Sequence, residues 1–196
     1  MVIQMIFGLL GGLGLFLFGM HQMGDGLQKA AGSKMRRWLE ALTTNQLSGV
    51  LLGTVITSII QSSSATTAVL LNLAREVGAD GQALISLQGA LPILFGCNIG
   101  TTITAILASI GARINAKRAA MAHTIFNVAG SILFMLFLPY FAKFVAFISP
   151  KGQEIEVVGR QIANAHTSFN VINTILWLPF VALLAKIVTF IVRGEE

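Results

Sequence analysis

Two long apolar segments of this chain are each interrupted near the middle, and these interruptions restrict the fold more than any other feature of the sequence. In the first segment, residues 47–74, the interruption is Gln61 followed by three serines. Within the segment, 14 residues precede the interruption and 10 follow it, whereas a membrane crossing needs roughly 20. We therefore predict a re-entrant helical hairpin over residues 47–74, with the serines at its tip.

The second interrupted segment, residues 84–111, contains Pro92, Gly96, Asn98 and Gly100 near its centre. Proline removes a helical hydrogen bond, and glycine lowers helix stability. An irregular backbone inside a membrane is tolerated where it is buried in protein or lines a cavity. We therefore predict a discontinuous transmembrane helix in this segment.

The remaining segments complete an all-α prediction. We predict a first helix over residues 1–20, an interfacial amphipathic segment over 21–46, and transmembrane helices over 119–147 and 161–192. The chain is 55% hydrophobic and 11% charged, against about 25% charged in soluble proteins. Its net charge of +5 is spread over connecting segments, which favours lipid headgroups over nucleic acid as a partner. The sequence thus predicts an integral membrane protein with a single transmembrane domain over residues 1–196.

A six-residue motif occurs twice in the second half of the chain. Residues 122–127, Ala-His-Thr-Ile-Phe-Asn, return 43 positions later as Ala-His-Thr-Ser-Phe-Asn at residues 165–170. This repetition predicts two helices with matched packing roles. We expect Asn127 and Asn170 either to bond across helices or to support the broken segments, and we interpret both histidines as packing residues.

Residues able to bind ions concentrate in two islands, residues 57–67 and 97–104, and neither island contains Asp, Glu, Lys or Arg. Helix ends inside a membrane offer amides to anions and carbonyls to cations. An anion at a neutral site needs an accompanying cation, and hydroxyl and amide oxygens suit a hard cation such as sodium. The islands therefore predict coupled binding of an anion and sodium. Close packing of small residues is the alternative interpretation.

The two islands also resemble a known family. Gln61-Ser62-Ser63-Ser64, followed by Gly-Cys-Asn-Ile-Gly-Thr-Thr at residues 96–102, is similar to the repeat signature of the type II sodium-dependent phosphate cotransporters. Residues 12–20 and 25–27 look like the opening segment of that family, and residues 165–170 with Asn173 and Leu178-Pro179 look like its closing one. The resemblance implies symport of sodium and inorganic phosphate in a multi-pass protein of the cell (plasma or inner) membrane, with no enzyme activity. It also implies one half of an inverted-repeat fold.

The resemblance and the chemistry of the islands together give the candidate residues, with sodium as a co-transported ion. The candidates for phosphate binding are Gln61, Ser62, Ser63, Ser64, Thr66, Gly100 and Thr101. The candidates for sodium binding are Gln61, Ser64, Asn98, Thr101, Thr102 and Thr104. The supporting residues are Thr57, Ser58, Asn127 and Asn170.

The family resembles a tandem duplication in which each half has its own Gln-Ser-Ser-Ser segment, whereas this chain has one. We therefore expect a homodimer in which each copy supplies half of a shared site. Our predicted topology places eight basic residues on one side of the membrane and five on the other, a bias weak enough to allow an antiparallel dimer. A different subunit or a shortened sequence explains the single segment equally well. A non-transporting membrane scaffold, or a symporter of another small oxyanion, is the alternative function.

Overall fold

The structure, a computed structural model, describes residues 2–15, 18–19, 22, 45–77, 81 and 83–194. Helices make up most of these residues, and three of the helical stretches, 87–109, 114–136 and 154–191, are long and apolar enough to cross a membrane. The helices are α1 (Val2–Leu15), α2 (Gln46–Ile60), α3 (Ser63–Ala74), α4 (Leu87–Gly100), α5 (Thr102–Ser109), α6 (Ile114–Leu136), α7 (Leu138–Ile148), α8 (Glu154–Trp177), a 3-10 turn (Leu178–Phe180) and α9 (Val181–Ile191). Nearly all of the predicted interfacial segment, 21–46, lies outside the described residues.

The most extensive helix contact joins α2 to α4, which lie side by side and run parallel. A Cβ atom added at Gly53 would overlap the backbone oxygen of Ile93, and one added at Gly96 would overlap that of Val50. The Thr54 hydroxyl also donates to the Gly96 carbonyl across this contact, at 3.2 Å. Small residues permit this backbone approach in membrane helices. Four glycines spaced four apart on the two helices line the contact: Gly49, Gly53, Gly96 and Gly100.

The chain reverses direction between α2 and α3. At the far end of α3, the Arg75 side chain lies over Gly159, near the start of α8. The first turns of α4 and α8 also meet, because the Leu87 amide donates to the Glu154 carboxylate at 3.3 Å. The start of α2 and the end of α3 therefore lie at the same end of the bundle as the start of α4. The two helices form a hairpin whose tip is at Gln61 and Ser62.

The predicted break in the second interrupted segment is wrong in position. Helix α4 continues through Pro92, Gly96 and Asn98, and the backbone departs from the regular helix at Thr101. Pro92 lies in the second turn of α4, where it removes one hydrogen bond without ending the helix. Gly96 lies in regular helix and allows the close approach of α2. The sequence alone does not distinguish this role of a glycine from a break in the helix.

The two later predicted helices have different limits in the structure. The predicted span 119–147 is divided at Phe137 into α6 and α7, and Pro139 lies in the first turn of α7, where its fixed φ angle suits the start of a helix. The predicted span 161–192 begins seven residues earlier, at Glu154, and a 3-10 turn separates α8 from α9. The Phe95 ring lies 5.5 Å from that of Phe169, one of several aromatic contacts that join α4, α6, α7 and α8 into one core.

The repeated motif gives the same local hydrogen bond in both copies. The Asn127 amide donates to the His123 carbonyl at 3.0 Å, and the Asn170 amide donates to the His166 carbonyl at 2.8 Å. Both bonds stay within their own helix, so these amides do not make the bond between helices that was one of the two expected roles. Asn173 makes it instead, since its amide donates to the Phe126 carbonyl of α6 at 3.2 Å.

Candidate functional site

The turn at the hairpin tip is built from Gln61 and Ser62. Gln61 has a left-handed backbone, with φ of 60°, and its amide donates to the Thr57 carbonyl. Ser62 is the N-cap of α3, and its hydroxyl accepts from the Ala65 amide at 3.2 Å. The Ser62 carbonyl accepts from the Thr66 hydroxyl at 3.0 Å. The Ser62 and Thr66 hydroxyls are therefore committed to holding the start of α3.

The hydroxyls of the next two serines make no such hydrogen bonds. Ser63 is partly buried and Ser64 is exposed, and neither hydroxyl bonds to any residue that the structure describes. Both occupy the first turn of α3, where backbone amides have no acceptor within the helix. The positive end of the helix dipole is also directed here. The first turn of α3 thus presents uncommitted hydroxyls and amides to a small ligand.

The break between α4 and α5 contributes the second island. Thr101 stands at the N-cap of α5 without a side-chain capping bond, and the Thr104 side chain is exposed. The Thr102 hydroxyl is buried and donates to the Ile99 carbonyl at 2.8 Å. Asn98 is 2% exposed, and its amide donates to the Leu94 carbonyl at 2.9 Å. The Thr101 and Thr104 hydroxyls make no hydrogen bond to any residue that the structure describes. The Thr102 hydroxyl and the Asn98 amide each bond to a carbonyl of the preceding helical turn.

The parallel contact of α2 and α4 brings the two islands together. A Cβ atom at Gly100 would lie 2.9 Å from the Thr57 Cβ, and the Ser58 hydroxyl lies 3.5 Å from the Gly100 carbonyl. The hairpin tip therefore lies beside the break after α4. Gly100 itself is buried against α2, so its part in the site is to allow this approach. Asn127 and Asn170 lie on other helices, α6 and α8.

Two polar residues were not singled out as site residues by the sequence. Within the described part of the chain, the buried polar atoms that lack a hydrogen bond include the Thr67 hydroxyl and the Nε2 atom of His166. Thr67 is 4% exposed, and the adjacent Thr66 bonds back to its own helix. A buried hydroxyl without a partner costs about 1–3 kcal/mol. The i, i+3 spacing of Ser64 and Thr67 was a signal for Thr67, whereas no sequence signal separated His166 from a packing residue.

A comparison with protein families tests the family resemblance that the two islands suggested. The model of the Na+/Pi-cotransporter family matches residues 15–173. This chain belongs to the Na+/Pi-cotransporter family. The family resemblance predicted from the two islands is therefore confirmed, and the Na+/Pi cotransporters are transporters and not enzymes.

Individual relatives of this Na+/Pi-cotransporter family member come from bacteria and mammals. The uncharacterized protein YqeW of Bacillus subtilis is 34% identical over 144 residues, which cover 71% of this chain and 44% of that protein. Sodium-dependent phosphate transport protein 2C of Homo sapiens is 41% identical over 91 residues, 44% of this chain and 14% of that protein. The matches thus span less than half the length of these relatives. No solved structure matches the chain significantly.

Proposed function

We propose that this protein carries inorganic phosphate across a membrane in symport with sodium ions. The observation that carries the proposal is the first turn of α3, where Ser63 and Ser64 keep hydroxyls free of any described hydrogen bond. This turn lies beside the break after α4, in two islands without charged side chains. Membership of the Na+/Pi-cotransporter family supports the same function.

Phosphate would bind at the first turn of α3, on the amides and hydroxyls of Ser63 and Ser64 and on Thr101. Sodium ions would use the oxygen atoms of Gln61, Ser64 and Thr104, together with carbonyl groups at the ends of α2 and α4. The residues that would support these groups, as their observed bonds and contacts indicate, are Ser62, Thr66, Asn98, Gly100 and Thr102. Coupling would follow from the charge balance, because a neutral site binds the anion well only when cations are present.

The backbone of Gln61 supports a functional role for its side chain. A left-handed conformation costs a residue other than glycine about 1–2 kcal/mol, and glycine would relieve that cost. Strained backbone at such a position is typical of binding sites. We infer that the amide side chain of Gln61 is kept at the tip because it binds an ion.

The proposed location of the site is inside the bilayer of the cell membrane, in a multi-pass protein. Helices α2 and α3 have 15 and 12 residues, and each is too short to cross a bilayer alone. Both outer ends lie at one end of the bundle, so the hairpin would enter and leave on the same side as a re-entrant element. Its tip would then meet the substrate from within the membrane.

Uptake of labelled phosphate tests the proposed function. The full chain is reconstituted into liposomes, and uptake is measured with an inward sodium gradient and with the same gradient of potassium. We expect saturable uptake with sodium and at least about tenfold less with potassium, because the site has no fixed cation of its own. Equal uptake under both gradients would contradict the proposed coupling to sodium. The absence of saturable uptake would favour a non-transporting membrane scaffold.

We further propose that two copies of the chain share the site. The side chains of Gln61, Ser64 and Thr104 are exposed on the single chain, and lipid tails offer no hydrogen bonds to such groups. An exposed apolar stripe on α2 leads to the tip and is formed by Leu47, Leu51, Val55 and Ile59. A second copy placed against this stripe, in parallel or antiparallel orientation, would cover the polar groups with an identical set.

Chemical crosslinking tests the shared site. In a Cys97→Ala background, Ile59→Cys should crosslink to itself with a short bifunctional maleimide in the membrane. Leu183→Cys on α9 is the control, because it is also exposed and apolar but lies away from the tip. An antiparallel pair would show N-terminal tags on both sides of the membrane. A monomer that still takes up phosphate would contradict the shared site.

A further inference from the structure

A polar cavity of about 420 Å³ lies where the first turns of α4 and α8 meet the second half of α7. Helices α4 and α8 each begin a stretch that is long and apolar enough to cross a membrane. The cavity would therefore lie at the level of the lipid headgroups. Two of its described lining residues are charged, Lys143 of α7 and Glu154 of α8. This end of the bundle thus offers one charge of each sign at the membrane surface.

Within the described part of the chain, neither of these charges is neutralised by a neighbouring side chain. The Lys143 ammonium makes no hydrogen bond or ion pair with any residue that the structure describes. The Oε1 atom of Glu154 accepts from the Leu87 amide, which leaves the other carboxylate oxygen available. Gln88 also lines the cavity, and its backbone amide lies in the first turn of α4, where it has no acceptor within the helix. Free donors and a free acceptor therefore line the same cavity.

The two opposite charges restrict the class of ligand that the cavity can bind. A simple anion would be attracted by Lys143 and repelled by the Glu154 carboxylate, and a simple cation would meet the reverse. A zwitterion satisfies both residues. Among phospholipid headgroups, phosphoethanolamine joins an anionic phosphate to a primary ammonium that can donate hydrogen bonds. Phosphocholine has methyl groups in place of those hydrogen atoms, and phosphoglycerol has no cation.

An apolar groove of about 330 Å³ lies next to the cavity along α7. Residues of α6, α7 and α8 line it, and they are apolar apart from the hydroxyl of Tyr140. Phe144 lines the groove and directly follows Lys143, which lines the cavity. One turn of a helix about 10 Å wide occupies roughly 400 Å³, so the groove is too small for a helix of a second copy. It suits a single hydrocarbon chain.

We propose that the cavity and the groove together bind one phospholipid with a phosphoethanolamine headgroup. Lys143 and the Gln88 amide hold the phosphate, the free oxygen of Glu154 accepts from the ammonium, and one acyl chain occupies the groove. This lipid site lies at the start of α4, about 20 Å from the end of that helix at Gly100. It is therefore separate from the proposed phosphate site and does not depend on phosphate transport.

Native mass spectrometry of the full chain in detergent tests the lipid site. Phosphatidylethanolamine, phosphatidylcholine and phosphatidylglycerol with the same acyl chains are titrated in turn. We expect one phosphatidylethanolamine to bind saturably, with a Kd at least about tenfold lower than for the other two lipids. Glycerophosphoethanolamine, which has no acyl chains, and inorganic phosphate should not displace it at equal concentration. Binding without saturation, or a preference for phosphatidylglycerol, would overturn the proposal.

Substitutions in the cavity separate this site from general contact with lipid. Glu154→Gln keeps an acceptor for the Leu87 amide, so it should preserve the fold, remove the preference for phosphatidylethanolamine and strengthen binding of phosphatidylglycerol. Lys143→Gln should raise the Kd for phosphatidylethanolamine about tenfold, and Lys143→Arg should retain binding. Lys186→Gln on α9 is the control, because Lys186 is also exposed but lies outside the cavity. Unchanged lipid preference in both Glu154→Gln and Lys143→Gln would show that the cavity does not bind the headgroup.

Discussion

The double substitution Ser63→Ala with Ser64→Ala should abolish sodium-dependent phosphate uptake and leave the thermal stability of the protein unchanged. Neither hydroxyl bonds to a described residue, so their removal breaks no bond of the fold. In the bound state, both would donate to a charged ligand, and such bonds are worth about 1.5–3 kcal/mol each. Losing two of them should weaken phosphate binding more than about a hundredfold. Uptake into liposomes and thermal unfolding of the detergent-solubilised protein measure the two properties separately.

Ser62→Ala is the matched control for this pair. The Ser62 hydroxyl accepts from the Ala65 amide as the N-cap of α3, and losing such a cap costs about 1 kcal/mol of stability. We therefore expect a lower unfolding temperature for Ser62→Ala, in contrast to the double substitution. If the double variant unfolds earlier and still takes up phosphate, the serines pack the hairpin and do not bind the substrate.

The contrast among these serines shows which parts of the tip the sequence predicts. Serine is a favoured N-cap, and a polar run inside an apolar segment marks a place where a helix ends. The turn at Gln61 and Ser62 follows from these two facts. The different roles of the three serines cannot be predicted in this way, because they depend on which side chains bond back to the helix and which remain free.

The adjacent threonines Thr66 and Thr67 show the same limit more clearly. The sequence predicts Thr66 as a phosphate-binding residue, yet its hydroxyl donates to the Ser62 carbonyl. Thr67 is the one left without a partner. Successive residues of a helix point about 100° apart, so only the packing of α3 against its neighbouring helices decides which hydroxyl is left without a partner. A single sequence contains no record of that packing.

The glycines near the middle of α4 were misinterpreted for a related reason. A glycine without a side chain permits either an irregular backbone or the close approach of another helix. The first possibility predicted a break around Gly96, and the second is what the structure shows. The matching spacing of Gly49 and Gly53 on α2 was the available signal, since paired small residues four apart are typical of two helices in contact.

The largest effect on folding should come from Gly96→Ala. An added Cβ would overlap the Val50 carbonyl oxygen and crowd the Thr54 amide, and these backbone atoms cannot rotate away as a side chain can. The two helices would have to separate, which would also break the bond from the Thr54 hydroxyl to the Gly96 carbonyl. Overpacking of this kind costs about 1–3 kcal/mol and occasionally more. We expect a lower yield of monodisperse protein on size exclusion and a lower unfolding temperature.

The same substitution should also reduce uptake by the protein that does fold. Helices α2 and α4 end at the two islands, so separating them moves Ser58 away from Gly100 and opens the site. Gly12→Ala on α1 is the control, because a Cβ there would meet no atom within 4 Å and alanine favours a helix by about 1 kcal/mol over glycine. It should leave stability and uptake unchanged or slightly improved. Normal unfolding and uptake in Gly96→Ala would show that α2 and α4 can separate without loss of function, and the contact would then not position the site.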